Sequence, residues 1–408
     1  MADTCDILVV GGGMVGTPLA LVLAQLGWQV TLLDAADNAA FDVVGPSSQA
    51  NLQQRCTAIS AGSVELLRAI GLWQAPSADT SADACAIKKV HVSQRGFFGS
   101  VRMRASDHKL DALGYVVNNE HYLATLRSHF SSSTVRHVQG ARAVSYTATD
   151  ASATVAYQCA NGESNITAKL VIAVDGVAST MRDAVGIGIR HHNYEQCAVL
   201  GCVELDQPHN NIAYERFAAG GPLALLPRTG KIASFVYCID AKDQQAVAEL
   251  DDAAFIKRLQ DEFGHRMGVF TQVGERTVFP LTRIEAQMQQ RDRLLLLGNA
   301  MRLLHPVAGQ GYNLAMRDIA GLLNTLDVMK ANDPGDAQVL ASFVKSRESD
   351  QQRIVAITDG LARGFRGYAS IPGHLRGVGL LAMAAVPQLS QLATKQGLGY
   401  VRPVPAVR

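Results

Sequence analysis

Residues 6–34 read DILVVGGGMVGTPLALVLAQLGWQVTLLD, and this stretch narrows the possible folds more than any other part of the chain. Ile7 to Val10 is a continuous β-rich run, and Met14 to Leu26 carries apolar residues at helical spacing. Gly27 stands where a helix C-terminal cap belongs, and Val30 to Leu33 is a second strand ending in Asp34. The layout is strand, turn, helix, strand. Gly11, Gly13 and Gly16 give the spacing G-x-G-x-x-G around Met14 and Val15. Gly11 permits the tight turn, Gly13 lets main chain approach a pyrophosphate, and Gly16 lets the helix pack closely. The helix N-terminus adds amide donors and partial positive charge. Asp34, 23 positions past Gly11, is placed to accept hydrogen bonds from a ribose hydroxyl pair. Glycines alone would also fit a turn without a ligand, but a strand before, a helix after and an acid at the next strand end favour a dinucleotide. Gly186-Ile-Gly188 and Gly377-Val-Gly379 lack the spacing, so a second Rossmann domain for a nicotinamide nucleotide is absent.

Composition sets the wider bounds. A chain of 408 residues with 48% hydrophobic and 18% charged content is long enough for two domains, or for one large domain with an insertion. A net charge of +1 gives no general attraction to nucleic acid. Seven cysteines at scattered positions do not form a disulfide framework, and free thiols in a reducing cytoplasm are the plain reading. Cys197 and Cys202 lie an odd number of positions apart in a strand, which puts them on opposite faces. The first apolar run is too short for a signal peptide, and Arg376 and Pro387 break the longest apolar stretch. His191 and His192 face opposite ways on a strand without acidic or Cys partners at ligand spacing, so no metal site is expected.

Further along, Ala58 to Trp73 reads as a helix, Lys88 to Val117 alternates in the β manner, and Tyr122 to Phe130 looks helical. Val135 to Gln158 reads as a meander, Leu170 to Val174 as a buried strand, and the region from Cys197 to Phe279 as mostly strands with a helix at Ala253 to Phe263. The expected architecture is α/β: a Rossmann-like nucleotide-binding domain from residues 1–75, 100–180 and 280–330. A β-rich substrate domain (76–99 and 181–279) is inserted into it, and a helical C-terminal region (331–408) follows.

At this point the motifs resemble those of the group A FAD-dependent aromatic monooxygenases, the para-hydroxybenzoate hydroxylase class. AVDGVASTMR is similar to the second motif of that class, which implies that Asp175, Gly176, Ser179 and Arg182 lie near the FAD pyrophosphate and the nicotinamide approach. Arg55, in QQRCTAIS, matches the arginine that lies over the cofactor; a solvated surface arginine is the plainer alternative. Gly298-Asn299 stands where most of the class has Gly-Asp against the ribityl chain. HPVAGQGYNLAMRD matches the ubiquinone-biosynthesis hydroxylases, with Pro306, Gly309, Gln310, Gly311 and Asn313 around the ring. TDGLARGF, HVSQRGFFG and YERFAAGGPLALLP look most like the members acting on 2-polyprenyl-6-methoxyphenols. The resemblance covers nearly the whole chain.

The resemblance implies FAD as cofactor, NADPH or NADH as transient reductant, and O2 as oxidant. Oxygen would be delivered through a flavin C4a-hydroperoxide to an electron-rich phenol ring. A helix beginning near Gly311 can stabilise the negative charge of reduced flavin without a cationic side chain, and Asn313 can bond the polar edge of the ring. The flavin carries the chemistry, so no catalytic side chain is singled out. His305, beside the flavin loop, and Arg216 and Tyr214, toward the substrate cavity, are weak candidates for a phenol base, and a structural role is the plainer reading of each. From Gly360 onward the chain has no Asp or Glu, and Leu375, Val378, Ala382, Ala385, Leu389 and Leu392 keep helical spacing. That segment suits either a helix packed on the core or peripheral contact with an anionic inner-membrane leaflet. A polyprenylated phenol, and a ubiquinone-biosynthesis complex, are the expected partners of an otherwise cytoplasmic protein. A flavin enzyme acting on another ring position or a small soluble aromatic, and a non-catalytic flavin-binding scaffold, are the competing readings.

Overall fold

The structure is a computed structural model, and it describes residues 3–36, 52, 55–74, 84–218, 220–330, 332–364 and 399. β1 (Asp3–Val10), α1 (Gly16–Gln25) and β2 (Val30–Leu33) form the opening unit. Next come β3 (Cys56–Ser60), α2 (Ala61–Ala69), β4 (Ala84–Ile87), β5 (Lys89–Gln94), β6 (Ser100–Arg104), β7 (Gly114–Asn118) and α3 (Asn119–Ser128). β8 (Arg136–Val138), β9 (Arg142–Ala148), β10 (Ala153–Cys159), β11 (Gly162–Ala173) and the short α4 (Thr180–Ala184) complete the first half. The second half holds β12 (Ile189–Leu205), β13 (Ile212–Phe217), β14 (Pro222–Pro227), β15 (Ile232–Asp240), α5 (Gln244–Ala248), α6 (Asp252–Phe263), β16 (Phe270–Val273) and β17 (Thr277–Ala286). β18 (Gln290–Arg291), β19 (Leu294–Leu296), β20 (Arg302–Leu303), α7 (Gln310–Val328) and α8 (Ala337–Gly364) follow.

β19, β11, β1, β2 and β8 run parallel as neighbours, and β10 and β9 extend β11 antiparallel. Ile7, Leu8, Val9, Leu32 and Leu294 have no exposed surface, as strands covered on both faces require. That is why these runs are continuously apolar instead of alternating. A second sheet runs β20-β17-β12-β15-β14-β13-β5-β6, with β16 beside β12. It packs one face on α6 around Phe235, Phe255, Phe263 and Phe270. A three-stranded sheet, β3-β7-β4, joins the two parts.

Strand ladders correct the expected boundaries. β5 pairs with β6 from Lys89–Arg104 to Ser93–Ser100, so a division at 99/100 would cut a hairpin. β4 pairs with β7 on the nucleotide side, although 76–99 read as substrate domain. β17 keeps pairing with β12 out to Ala286, past the expected limit at 279. Ala58 to Ser60, expected to open a helix, instead end a strand that begins at Cys56. The Ser60 side chain caps the helix that starts only at Ala61, accepting the Ser63 amide. Cys197 and Cys202 do sit on opposite faces, the first donating to Gln244 and the second lying 3.4 Å from Ser234 Oγ. The amphipathic pattern at Leu375 to Leu392 falls outside the described residues, and among those no helix is long and apolar enough to cross a membrane.

Candidate active site

Because β1, β11 and β19 are parallel and in register, their C-terminal ends stand side by side, with Val10 beside Ala173 and Ala173 beside Leu296. The three sequence motifs therefore meet at one edge of the sheet, which is where open α/β sheets bind ligands. A Cβ on Gly16 would stand 1.8 Å from the Gly11 carbonyl oxygen, so only glycine lets α1 dock on the turn. A Cβ on Gly13 would meet nothing within 4 Å, so this side of the turn is open. A Cβ on Gly298, at φ +57, would stand 3.7 Å from the Val15 side chain, and Asn299 next in the turn is exposed.

Asp34 is 4% exposed at the end of β2. Its Oδ1 accepts the Ala36 amide at 3.1 Å, and its Oδ2 accepts Arg127 Nη2. Burial alone would raise this carboxyl. The His137 hydrogen bond, the Ala36 amide and the Arg127 charge outweigh it and hold the group below its ordinary value. Arg127 also donates to the Gly12 carbonyl at 3.2 Å, tying α3 to the glycine turn. Sequence reasoning passed over Arg127. No local signal marked it, because Arg127 and Asp34 are 93 positions apart in the chain.

At the second motif, Asp175 Oδ2 accepts the Met181 amide and Ser179 Oγ accepts the Arg182 amide, so both cap α4. Burial pushes the Asp175 carboxyl up, and its Oδ1 has no partner among the described residues. Gly176 turns the chain at φ +91. Ser179 and Arg182 are 0% and 2% exposed, and Arg182 Nη1 donates to the Ala300 carbonyl. Arg182 thus clasps the second motif to the third instead of facing an approaching nicotinamide.

The third motif forms a tight loop. Ala308 (φ +59) and Gly309 (φ +58) are successive left-handed residues, and the alanine carries a cost of about 1 kcal/mol. Pro306 accepts the Gly309 amide, and Gln310 donates to the Ala308 carbonyl while its Oε1 has no partner among the described residues. α7 then starts at Gln310, so its first-turn amides, Gly311 included, have no intrahelical partner. His305, 1% exposed, accepts the Val307 amide on Nδ1 and meets the Tyr194 ring edge-on at 4.9 Å. Burial pushes its imidazole down to about 4, so it is neutral, and its Nε2 has no partner among the described residues.

Asn313 departs from the role expected of it. Its Oδ1 accepts the Ser60 amide (2.8 Å) and Ser63 Oγ (2.9 Å), and its Nδ2 donates to Ala58 (3.1 Å) and Gly309 (2.8 Å) carbonyls. That uses its full hydrogen-bonding capacity, so it pins the loop to β3 instead of touching a ring. Asn313→Ala should lower stability by about 2–4 kcal/mol by leaving these buried groups unpaired, read as a fall in Tm with the fold retained.

The substrate candidates also change. Tyr214 and Arg216 point away from the nucleotide domain: Tyr214 packs on Phe263 and Arg216 donates to the Glu262 carbonyl beside α6. Strand alternation then turns Glu215 inward, where it receives the Ala308 amide. Arg55 is exposed, with its guanidinium 5.5 Å from the centre of the Phe279 ring on β17. A cleft of about 880 Å³ lined by Val199, Ile256, Val273 and Val278 opens on the far face of this sheet, away from the three motifs.

A dinucleotide edge with a second β-sheet beside its loop defines a flavoprotein with a nucleotide-binding sheet and a separate, larger antiparallel sheet. The open side of Gly13, the unpartnered Asp175 and Gln310 oxygens and the left-handed loop fit FAD. The chain belongs to the FAD binding domain family, whose model matches residues 4–358. It is similar to ubiquinone hydroxylase UbiL of Rhodospirillum rubrum, 31% identical over 402 residues, covering 97% of this chain and 90% of that one. It is likewise 31% identical to the 3-demethoxyubiquinol 3-hydroxylase of Escherichia coli, over 97% of this chain and 98% of that one. Among solved structures, p-nitrophenol 4-monooxygenase PnpA from Pseudomonas putida shares the fold at a TM-score of 0.77 and 17% identity, over 98% of this chain and 100% of that one. The protein is an FAD-dependent monooxygenase that uses NAD(P)H and O2.

Proposed function

We propose that the enzyme hydroxylates the aromatic ring of a polyprenylated phenol in ubiquinone biosynthesis, with 2-polyprenyl-6-methoxyphenol as substrate. The observation that carries this is the inner face of the second sheet. Leu200, Val236 and Ala224 lie in one register row across it with Glu215, which meets the Ala308 amide of the loop that starts α7. An apolar wall of this kind suits a greasy phenol better than a charged small aromatic. The ubiquinone relatives support the same substrate class.

In this reading Gly11, Gly13 and the first turn of α1 hold the FAD pyrophosphate, Asp34 the ribose, Gly298-Asn299 the ribityl chain, and Pro306 to Gly311 the ring. Arg55 closes the mouth between the domains. Bound FAD, once reduced, activates O2 so that one oxygen atom reaches the ring. The chain's part is to orient the phenol and keep out water. The basic C-terminal segment would hold the enzyme at the membrane surface where its substrate resides.

The test uses FAD-loaded enzyme with NADPH, O2 and a short-chain 2-polyprenyl-6-methoxyphenol. Substrate-stimulated NADPH oxidation, matched by oxygen uptake and a product gaining one oxygen atom, is the expected result. Tightly bound FAD without stimulated oxidation would instead make the protein a scaffold. The equal similarity to two differently named hydroxylases favours one second reading, a different ring position. A demethoxyubiquinol substrate run in parallel separates the two.

A further inference from the structure

We infer that Glu215 is the proton acceptor for the phenol hydroxyl of the substrate. This rests on the monooxygenase reading above and deepens it. β13 alternates, and its two faces have different surroundings. Tyr214 and Arg216 are engaged beside α6, whereas Ala213 packs on Ile87 and Val116 of the three-stranded sheet. Glu215 lies on the Ala213 face. Across the sheet its register row runs Leu200, Val236, Ala224, Glu215, Val92 and Val101, so it is the one ionisable group in an apolar row.

A carboxylate in such a row needs partners. The Ala308 amide, from the strained left-handed loop, donates to Glu215. Its Oε1 is buried and has no partner among the described residues. One side of the carboxyl is therefore anchored to the loop that starts α7, and the other keeps an acceptor uncommitted among the described residues. Burial pushes the carboxyl up to about 7, so it exchanges a proton near neutrality. Among the described residues no cationic side chain acts on it: burial and the Ala308 amide alone set its titration. Cys238 of β15 is neutral, held up by burial and by the Glu215 charge itself. His305 is neutral and faces Tyr194, and Arg55 lies over Phe279. A phenol hydroxyl is a donor of the right kind.

In the step, the phenol O–H bond breaks and a Glu215 O–H bond forms. The electron pair left on the phenol oxygen enriches the ring carbon that receives oxygen, and O2 with NAD(P)H supplies the redox balance. The ring proton is lost as aromaticity returns, and Glu215 releases its own proton to solvent.

Glu215→Gln and Glu215→Asp test this in the FAD-loaded enzyme. For Glu215→Gln, hydroxylation should fall about 10²-fold, and the acid limb of the kcat/KM profile near pH 7 should disappear. NADPH-driven flavin reduction should persist. A second readout needs no turnover. Binding a prenylated methoxyphenol to the oxidised wild type at pH 7 should release about half a proton, because the bound hydroxyl favours ionised Glu215. Glu215→Gln should release none, and Glu215→Asp should restore part of both signals. An unchanged acid limb and unchanged proton release in FAD-loaded Glu215→Gln would overturn the assignment. So would loss of FAD by both variants, which would make Glu215 only a clamp on the loop. If the wild type itself fails to hydroxylate the phenol, the substrate reading fails instead.

Discussion

Gly16→Val is expected to yield no yellow protein, or an apoprotein whose Tm lies about 10 °C or more below wild type. The ideal Cβ position at Gly16 is 1.8 Å from the Gly11 carbonyl oxygen and 2.8 Å from Val174 Cγ2. Neither neighbour can step aside, since Gly11 donates its amide to Leu33 and Val174 donates its own to Val10. The helix would have to move off the sheet, and α1 buries Leu19, Leu21, Val22 and Leu23 against it. Overpacking at backbone costs more than the usual 1–3 kcal/mol of a side-chain clash. Gly13→Ala is the control that separates folding from binding. Its added methyl meets nothing within 4 Å and needs no special φ. That variant should keep its Tm to within about 2 °C yet lose FAD by at least about 10²-fold, because the methyl occupies the face the pyrophosphate approaches. Flavin-to-protein absorbance and thermal unfolding report both outcomes. Normal FAD content in Gly13→Ala would place the cofactor elsewhere.

The sequence showed which chain segments form the nucleotide edge, because strand, glycine turn, helix and acid are all local signals. Non-local pairing was not legible in the same way. That Gly298 would rest on Val15, or that Arg182 would reach Ala300, depends on the parallel register of β1, β11 and β19. The strand at Cys56 was hidden because a short apolar run followed by a helix has the same periodicity as a longer helix; only the Ser60 cap marked the break. Tyr214 and Arg216 were the conspicuous residues of YERF, and reading them as substrate-facing ignored which face α6 would cover. Alternation alone put Glu215 opposite them, but the direction of the core could not be decided until the helix was placed. Asn313 was mistaken for a ligand contact because an asparagine in a glycine loop serves equally well as an internal clasp. Its four hydrogen bonds link residues 58 to 63 with 309 to 313, a separation that motif spacing does not encode.

Asp318→Ala should destabilise the protein by about 3–5 kcal/mol, the cost of breaking a buried ion pair from one side. HPVAGQGYNLAMRD ends in Arg317-Asp318, and the charges at its end hold the helix that carries the loop. Asp318, 3% exposed, accepts Arg347 Nε at 2.9 Å and Gln351 Nε2 at 3.0 Å, both from α8. Arg347 also donates to Asp350 at 2.6 Å, and Arg317 lies 3.6 Å from the same carboxylate. Without Asp318, Arg347 and Arg317 share one acid in a buried seam between α7 and α8. Like charge then repels where solvent cannot screen it. Burial would raise the Asp350 carboxyl, but Arg317, Arg347 and Arg353 hold it below its ordinary value. Its contribution is therefore complete above about pH 5 and fades as acid protonates it below about pH 4. The Tm gap between wild type and Asp350→Asn should accordingly be constant from pH 5 to 8 and close in acid. Because α7 begins at the loop, loosening its middle should also weaken FAD binding in Asp318→Ala, by a smaller factor than Gly13→Ala does. If Asp318→Ala unfolds at the wild-type temperature, the seam is not what fixes α7, and the loop must owe its position to Asn313 and Glu215 alone.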